Sequence, residues 1–280
     1  MSTILRVRHL CAESSTWEAE GWCVNALNQV SLDVGERELV VLLGAPGAGK
    51  TMLIQTILDL LQPKSGDIRL FGFPSSDWTW KPEVGYLPQS FRVHSACTAR
   101  AFLRYIAEVR EIMWGNRMAE CVDALLEAVG LSEIKGRPLR QYSKEMMMRL
   151  GMAQALLHNP RLLILDEPSE EVGWKGVETL RGLLMQFRSR GGGTLLTARR
   201  LTELELSADR IVLLHEGRVA TEVDMKVVAE RGSELEQTSP TALARKTGVG
   251  SVACTGTWKK ETLHPRLTPT FPSEKKLFEA

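Results

Sequence analysis

Residues 38–51 read ELVVLLGAPGAGKT, and this stretch decides the fold of the chain. Its first part, residues 38–43, is almost entirely apolar, which predicts a short strand buried on both faces of a parallel sheet. Residues 44–51 fit the pattern G-x-x-x-x-G-K-[ST], and residues 52–61 after them have the character of a helix. A glycine-rich loop that leads from a buried strand into a helix is the context in which this pattern binds phosphate groups.

The residue types of this loop suit a nucleoside triphosphate. Glycines let backbone N–H groups turn inward around a phosphate without obstruction by a Cβ atom, and the helix N-terminus adds partial positive charge. Lys50 would reach the β- and γ-phosphates, and the Thr51 hydroxyl would bind Mg²⁺. A chance glycine-rich turn is the alternative, and the complete octapeptide in this context argues against it. The predicted nucleotide-binding residues are Gly44, Ala45, Pro46, Gly47, Ala48, Gly49, Lys50, Thr51 and Met52.

A second stretch, residues 162–167 (LLILDE), ends in two acids. An apolar strand that delivers carboxylates at its C-terminal end supplies what a nucleoside triphosphatase needs. Asp166 would hold Mg²⁺, and Glu167 would polarise the attacking water. Taken alone the pattern is weak, because aspartate often begins a turn, but together with the upstream loop it predicts a catalytic metal site.

Short apolar runs at residues 194–197 and 211–215 indicate further strands of the parallel sheet. Residues 4–10, 27–34 and 68–72 instead alternate apolar and polar side chains, which is typical of a half-exposed antiparallel sheet. The predicted fold class is therefore α/β, with a parallel core and an antiparallel β-subdomain at the N-terminus.

Residues 99–130 have the periodicity of helices, interrupted at Gly115-Asn116. Each helix carries one apolar stripe, and core packing explains such a stripe better than a cofactor-lining face. The predicted core residues are Phe102, Ile106, Val109 and Met113 in the first helix and Met118, Val122, Leu125 and Val129 in the second.

The composition excludes several classes of protein. A hydrophobic content of 44% is too high for a disordered chain, and a formal charge of +1 argues against a protein that coats nucleic acid. Five scattered cysteines predict free thiols. With no signal-like start and no apolar run of about 20 residues, the sequence predicts a soluble, cytosolic protein. Residues 233–280 contain four prolines and predict a loosely ordered tail after a folded domain at residues 1–232.

The order of these motifs resembles the nucleotide-binding subunit of an ABC transporter over nearly all of residues 1–225. Residues 44–51 look like its Walker A loop, and residues 162–167 look like its Walker B strand. GYLPQ at residues 85–89 looks like the Q-loop. YSKEM at residues 142–146 stands where the signature motif belongs, which in exporter-type subunits often reads YSKGM.

The resemblance implies a P-loop NTPase with a RecA-like parallel sheet core and an α-helical subdomain inserted at about residues 92–158. It implies ATP and Mg²⁺ as ligands, with Gln89 contacting Mg²⁺ and coupling to the membrane partner. Ser143 of the signature would contact nucleotide bound to a second subunit. Trp22 would stack on adenine, with Trp17 as the alternative and an ordinary structural role equally open.

Three positions depart from the family pattern. Glu145 replaces the second signature glycine, Gly173 replaces the D-loop aspartate, and Arg199 replaces the switch histidine. Glu145 would either face and repel a γ-phosphate or point to solvent at the start of a helix. We expect Arg199 to act catalytically as a charge clamp that cannot exchange a proton near neutral pH. A further hypothesis pairs Arg199 with Glu145 and with the acids at residues 170–171 across a dimer.

The function that the resemblance implies is ATP binding and hydrolysis that drives transport through a separate membrane-spanning permease. Its partners would be that permease and a second nucleotide-binding subunit, at the cytoplasmic face of the membrane and without nucleic acid. The alternative is an ATP-binding regulatory or structural subunit with impaired hydrolysis. The retained Glu167 favours hydrolysis, since a chain without catalysis has little reason to keep that acid. An ATPase acting on chromosomes is disfavoured because the chain has no long coiled coil.

Overall fold

A computed structural model describes residues 2–18, 21–93, 96–110, 116–170, 173–200 and 207–225. The predicted tail at residues 233–280 and the boundary at residue 232 therefore lie outside the described residues. The strands are β1 (Thr3–Glu18), β2 (Gly21–Gly35), β3 (Leu39–Leu43), β4 (Ser65–Leu70), β5 (Phe73–Pro74), β6 (Val84–Leu87), β7 (Leu162–Asp166), β8 (Gly193–Ala198), β9 (Arg210–His215) and β10 (Arg218–Asp224).

The core is a six-stranded sheet in the order β10-β9-β3-β8-β7-β6. The five strands from β9 to β6 are parallel, and β10 pairs antiparallel with β9 at the edge. Both faces of this sheet are covered. Val41 and Leu163 lie in one apolar cluster, and their neighbours Val40 and Ile164 lie in the other. Because successive residues of a strand point to opposite faces, burial of both faces explains the unbroken apolar runs in the sequence.

A second sheet is antiparallel and has the order β2-β1-β4-β5. It contains the three segments whose alternation predicted it, and Leu5 of β1 stands opposite both Val34 of β2 and Leu70 of β4. All three of these side chains are buried. The α/β fold class, with a parallel core and an antiparallel N-terminal sheet, is confirmed.

The helices between β6 and β7 form the predicted helical insertion. Short 3₁₀ turns at residues 132–134 and 139–141 connect two of them. None of the helices in the described ranges is long and apolar enough to cross a bilayer. The helices are α1 (Lys50–Ile57), α2 (Ala99–Val109), α3 (Asn116–Ala128), α4 (Lys144–Leu156) and α5 (Trp174–Ser189).

The predicted buried face of α2 is partly wrong. Its fully buried residues are Ala99, Leu103 and Ala107, whereas Val109 is 62% exposed. The predicted stripe ran along the largest side chains, but small alanines allow the closest approach to the helices packed against this face. The prediction for α3 is confirmed, since all four of its proposed core residues are buried. Met113 lies outside the described residues.

The carboxyl ends of β3, β7 and β8 lie side by side, because these strands are parallel neighbours in the order β3-β8-β7. The glycine-rich loop follows β3, Asp166 ends β7, and Arg199 follows β8. The backbone N–H of Gly44 donates to the carbonyl of Ala198 at 3.1 Å, which fixes the loop against the end of β8. Ligands of open α/β sheets bind at this edge.

Candidate active site

The glycines of the loop are required by their surroundings. A Cβ atom on Gly44 would stand 2.6 Å from the carbonyl oxygen of Leu214 in β9. Gly49 lies immediately before α1 and has a φ of 102°, a backbone conformation that residues with a Cβ atom rarely adopt. The loop therefore packs tightly on the sheet and turns directly into the N-terminus of α1, where free N–H groups favour an anion.

Lys50 is buried at 4% exposure and points back into the loop. Its Nζ donates to the carbonyls of Gly44 at 2.7 Å and Ala45 at 3.0 Å. The same Nζ lies 3.1 Å from Oε1 of Glu167. The cation is thus held in the glycine-rich loop by two backbone carbonyls and by the Glu167 carboxylate.

Thr51 and Asp166 face each other across the end of the sheet. The Thr51 hydroxyl donates to Oδ2 of Asp166 at 3.0 Å, and the Thr197 hydroxyl donates to Oδ1 at 2.6 Å. Thr197 also accepts a 2.9 Å hydrogen bond from the backbone N–H of Glu167. Sequence reasoning missed Thr197, although a polar residue at the end of the apolar run TLLT in β8 was a usable signal.

Burial raises the pKa of the Asp166 carboxyl. The hydrogen bonds from Thr197 and Thr51 oppose this shift, and the nearby charge of Lys50 opposes it more weakly. The raised pKa follows from the cost of a charge in a poorly solvated place. A divalent cation at Asp166 would relieve that cost.

Glu167 is buried at 5% exposure and has a positive φ of 50°. A residue other than glycine rarely adopts this backbone conformation, and such strain is concentrated at functional sites. Oε2 of Glu167 accepts from the side-chain amide of Gln89 at 2.7 Å and from Nε of Arg199 at 2.6 Å. Its two carboxylate oxygens are therefore held by three side chains, counting Lys50.

These residues surround one cavity of about 290 Å³ in front of the loop. It brings together nine of the predicted site residues and adds Gln55, which the sequence did not indicate. Four further predicted site residues are not among the lining residues: Gly44, Ala45, Ala48 and Asp166. The lining residues are Pro46, Gly47, Gly49, Lys50, Thr51, Met52, Gln55, Gln89, Glu167 and Arg199.

Another cavity, of about 360 Å³, lies at the opposite edge of the sheet. Arg161 and Gly192, which precede β7 and β8, line it together with Phe187. It is the larger of the two cavities, but it contains none of the chemistry that the loop and the two acids supply. We therefore assign the nucleotide site to the cavity in front of the loop.

The signature segment lies elsewhere. The exposed Ser143 caps α4 by accepting from the backbone N–H of Met146 at 3.2 Å, and it does not line the cavity of its own chain. Glu145 accepts a hydrogen bond from Arg149 one turn along α4. Its Oε2 lies 3.9 Å from the position that a Cβ on Gly173 would occupy. Within one chain Glu145 therefore neither faces the phosphate cavity nor extends freely into solvent.

The remaining predicted positions are Trp22 and the acids at residues 170–171. Trp22 lies in β2 opposite Trp17 of β1, but the contacts of its side chain lie outside the described residues. Arg200, next to Arg199, lies 3.6 Å from Glu170 of the same chain. Glu171 also lies outside the described residues.

The donor set is compatible with Mg²⁺. Within the described ranges there is no group of three acidic, histidine or cysteine side chains that could hold a metal ion. Thr51 and Asp166 offer two hard oxygen ligands at 3.0 Å from each other, next to the phosphate cavity. Mg²⁺ commonly binds through few protein oxygens and completes its shell with water and substrate phosphate.

A strand, glycine-rich loop and helix with a buried lysine, followed by paired acids at the end of the parallel strand two positions away in the sheet, define a P-loop nucleotide-binding protein. The family model described as ABC transporter matches residues 27–170, and the chain belongs to this family. An uncharacterised ABC transporter ATP-binding protein of Synechocystis sp. is 34% identical over 198 residues, which cover 70% of this chain and 56% of that protein. The chain thus spans little more than half the length of this relative.

Two further proteins are similar. The bacitracin transport ATP-binding protein BcrA of Enterococcus faecalis is 33% identical over 208 residues, covering 73% of this chain and 66% of that protein. A solved structure described as an ATP-binding subunit of an ABC transporter superposes with a TM-score of 0.71 and 25% identity. It covers 88% of this chain, and 99% of its own chain is matched. These similarities agree with the resemblance found in the motifs.

Proposed function

We propose that this chain binds ATP with Mg²⁺ and hydrolyses it to drive transport through a separate membrane-spanning partner. The observation that carries the proposal is the convergence of Lys50, Thr51, Gln89 and Glu167 on one cavity, with Asp166 directly behind Thr51. These residues come from three separate segments of the chain. Their common position supports a function in which phosphate, metal and water meet.

Each side chain has a distinct task in this proposal. Lys50 exchanges its contacts with the loop carbonyls and Glu167 for phosphate oxygens. Thr51 and Asp166 hold Mg²⁺, which would neutralise charge on the phosphates. Glu167 accepts a proton from the attacking water, and Gln89 orients that water or the metal shell. The buried hydrogen bonds of Thr197 keep Asp166 and Glu167 in place.

The proposed partners are a membrane-spanning permease and a second nucleotide-binding subunit. Ser143 is exposed and lies outside the cavity of its own chain, so a nucleotide contact through it requires another subunit. Gln89 is exposed at the cavity rim, where a partner could reach it. The named bacitracin transport relative supports a transporter role, and we propose peripheral attachment at the cytoplasmic face of the membrane.

The second candidate function is an ATP-binding regulatory or structural subunit with impaired hydrolysis. The observation that favours it is the engagement of Glu167 by Arg199 at 2.6 Å, at the position where the family has a histidine. The replacement of a signature glycine by Glu145 adds to it. The two candidates share ATP binding and differ in whether phosphate is released.

The Glu167→Gln variant tests the proposal, because it preserves shape and removes the base. We expect slow phosphate release from the wild-type chain and none from the variant, while calorimetry detects ATP binding in both. Glu216→Gln is the matched control, since Glu216 is 85% exposed and does not line the cavity. Equal release from wild type and Glu167→Gln contradicts the role of Glu167, and ATP binding without any release favours the second candidate.

A further inference from the structure

Arg199 directs its cation at the acid that the proposed reaction uses as its base. Nε of Arg199 lies 2.6 Å from Oε2 of Glu167, with Arg199 37% exposed and Glu167 4% exposed. The contact joins the ends of β8 and β7 within one chain. It is a charge-assisted hydrogen bond, which is stronger than one between neutral groups.

The Glu167 carboxylate has little accepting capacity left. Such a group offers about four lone-pair sites. Nζ of Lys50 lies 3.1 Å from Oε1, and the side chains of Gln89 and Arg199 donate to Oε2 at 2.7 and 2.6 Å. Three of the four sites are therefore occupied. Two of these three donors are cations, and both hold the carboxylate that would take a proton from water.

The two cations differ in how they can be released. Lys50 belongs to the phosphate-binding loop, so an incoming phosphate competes directly for its Nζ. Arg199 follows β8, is not part of the loop, and contacts the other carboxylate oxygen, Oε2, from a position that also lines the cavity. A guanidinium does not lose its proton in proteins, so deprotonation of Arg199 does not release this contact.

We propose that Arg199 is a restraining residue that limits the rate of hydrolysis by holding Glu167 away from the attacking water. This inference rests on the proposed function of Glu167 as the base. Hydrolysis then requires Arg199 to move off the carboxylate in each cycle. The sequence-based expectation instead made Arg199 a charge clamp that partly replaces the switch histidine.

The two roles predict changes of opposite sign in one variant. Arg199→Met keeps an unbranched side chain that reaches about as far as Nε, and it removes the cation and its donors. Glu167 keeps Lys50 and Gln89 as partners, so its buried charge remains compensated and the variant should fold. We expect kcat for phosphate release to rise by roughly tenfold, a part of the 10²–10⁴-fold effect of a general base. An assisting Arg199 would instead give a lower kcat.

Two control variants separate charge from packing. Arg199→Lys keeps a cation near Glu167 and should remain slow. Arg200→Met removes the neighbouring arginine, which pairs with Glu170 outside the cavity lining, and should leave kcat unchanged. An increase in all three variants would contradict the restraint, because it would not depend on the charge at residue 199.

A second measurement does not involve turnover. Thermal denaturation of the nucleotide-free chain is compared for Arg199→Met, Glu167→Gln and the double variant. A direct ion pair makes the two shifts in midpoint non-additive, whereas Arg200→Met combined with Glu167→Gln should be additive. Additive shifts for Arg199 and Glu167 would overturn the contact itself.

The outcomes distinguish this inference from the proposed function. Calorimetric ATP binding and the effect of Glu167→Gln test the proposed function in the wild-type chain. An unchanged or lower kcat in Arg199→Met, with ATP still bound, overturns the restraint and leaves that function intact. If wild type and Arg199→Met both bind ATP without phosphate release, the restraint is overturned and hydrolysis with it. Phosphate release that appears only in Arg199→Met gives the strongest support for the restraint by Arg199.

Discussion

The two halves of the catalytic motif set differ in where their side chains are directed. The loop half, residues 44–51 with Asp166 and Glu167, converges on one cavity at the end of the parallel sheet. In the signature half, residues 143–149, the polar side chains make local contacts on α4, where Ser143 caps the helix and Glu145 pairs with Arg149. One half is therefore built for a ligand within its own chain, and the other is not.

This difference follows from the scaffold of each half. The loop half is attached to the ends of neighbouring parallel strands, whose register fixes the positions of the residues that follow them. The signature half lies on a helical insertion between β6 and β7, so its position depends on side-chain packing. We therefore propose that nucleotide binding is a property of one chain, and that a contact through the signature requires another subunit.

The largest expected effect is the loss of ATP binding in Lys50→Ala. Lys50 is the buried loop cation, and charge-assisted hydrogen bonds contribute about 1.5–3 kcal/mol each. We expect affinity for ATP with Mg²⁺ to fall at least about a hundredfold in calorimetry. The control Lys64→Ala removes an exposed lysine that pairs with Glu13 and should bind normally. Wild-type affinity in Lys50→Ala would contradict the proposal that the loop half binds ATP.

The next effect concerns stability and the residue that sequence reasoning missed. Thr197→Val keeps the shape but leaves the Glu167 N–H and one oxygen of Asp166 without their buried partner. The free energy of unfolding should fall by about 1–3 kcal/mol in denaturant titrations. Thr221→Val on the edge strand β10 should change it by less than about 0.5 kcal/mol. Equal effects would mean that Thr197 does not organise the loop half.

A smaller effect of opposite sign is expected for Asp166→Asn. Because burial raises the pKa of Asp166, the folded chain keeps this proton to a higher pH than the unfolded chain does, and stability falls as pH rises through that interval. The variant removes the buried charge, so the nucleotide-free chain should melt at a higher temperature than wild type at pH 7. The difference should vanish below about pH 3.9, where aspartate is protonated in both states.

This variant should also lose the Mg²⁺-dependent part of ATP binding, since a neutral amide is a weaker ligand for a hard cation. Greater stability combined with weaker binding would show that the buried charge of Asp166 lowers stability in the loop half and serves ligand binding. A lower melting temperature at pH 7 would show that the hydrogen bonds of the carboxylate outweigh its desolvation.

The smallest effect is expected in the signature half. Glu145→Gly restores the residue typical of the family and breaks the pair with Arg149. Loss of one i,i+4 pair and the flexibility of glycine should lower the free energy of unfolding by about 0.5–1 kcal/mol. The ATP affinity of a single chain should stay within about twofold in calorimetry, because Glu145 does not line the cavity. A large gain in single-chain affinity would contradict the separation of the two halves.

Much of the loop half could be predicted from the sequence because its residues are adjacent to strands. A buried apolar run fixes the strand, the strand end fixes the edge of the sheet, and Lys50, Thr51, Asp166 and Glu167 follow within a few residues. Thr197 was missed because its role depends on two hydrogen bonds to another strand. No local pattern in residues 193–198 specifies those partners.

The ion pairs show the limit of reasoning from charge alone. The sequence suggested that Arg199 and Glu145 pair across a dimer. In the folded chain Arg199 instead contacts Glu167, Glu145 contacts Arg149, and Arg200 lies near Glu170. Side chains on neighbouring strand ends, or one helical turn apart, meet before any partner arrives. The cross-dimer pairing therefore remains a prediction that must compete with contacts already made.

We propose that the loop half of one chain forms a complete nucleotide site. The most direct test is calorimetric titration of ATP with Mg²⁺ into the wild-type chain and into Ser143→Ala, at concentrations where light scattering reports a monomer. We expect each chain to bind one ATP, with the same affinity in the wild-type protein and in Ser143→Ala. Binding that begins only when dimers form, or that is lost in Ser143→Ala, would contradict it.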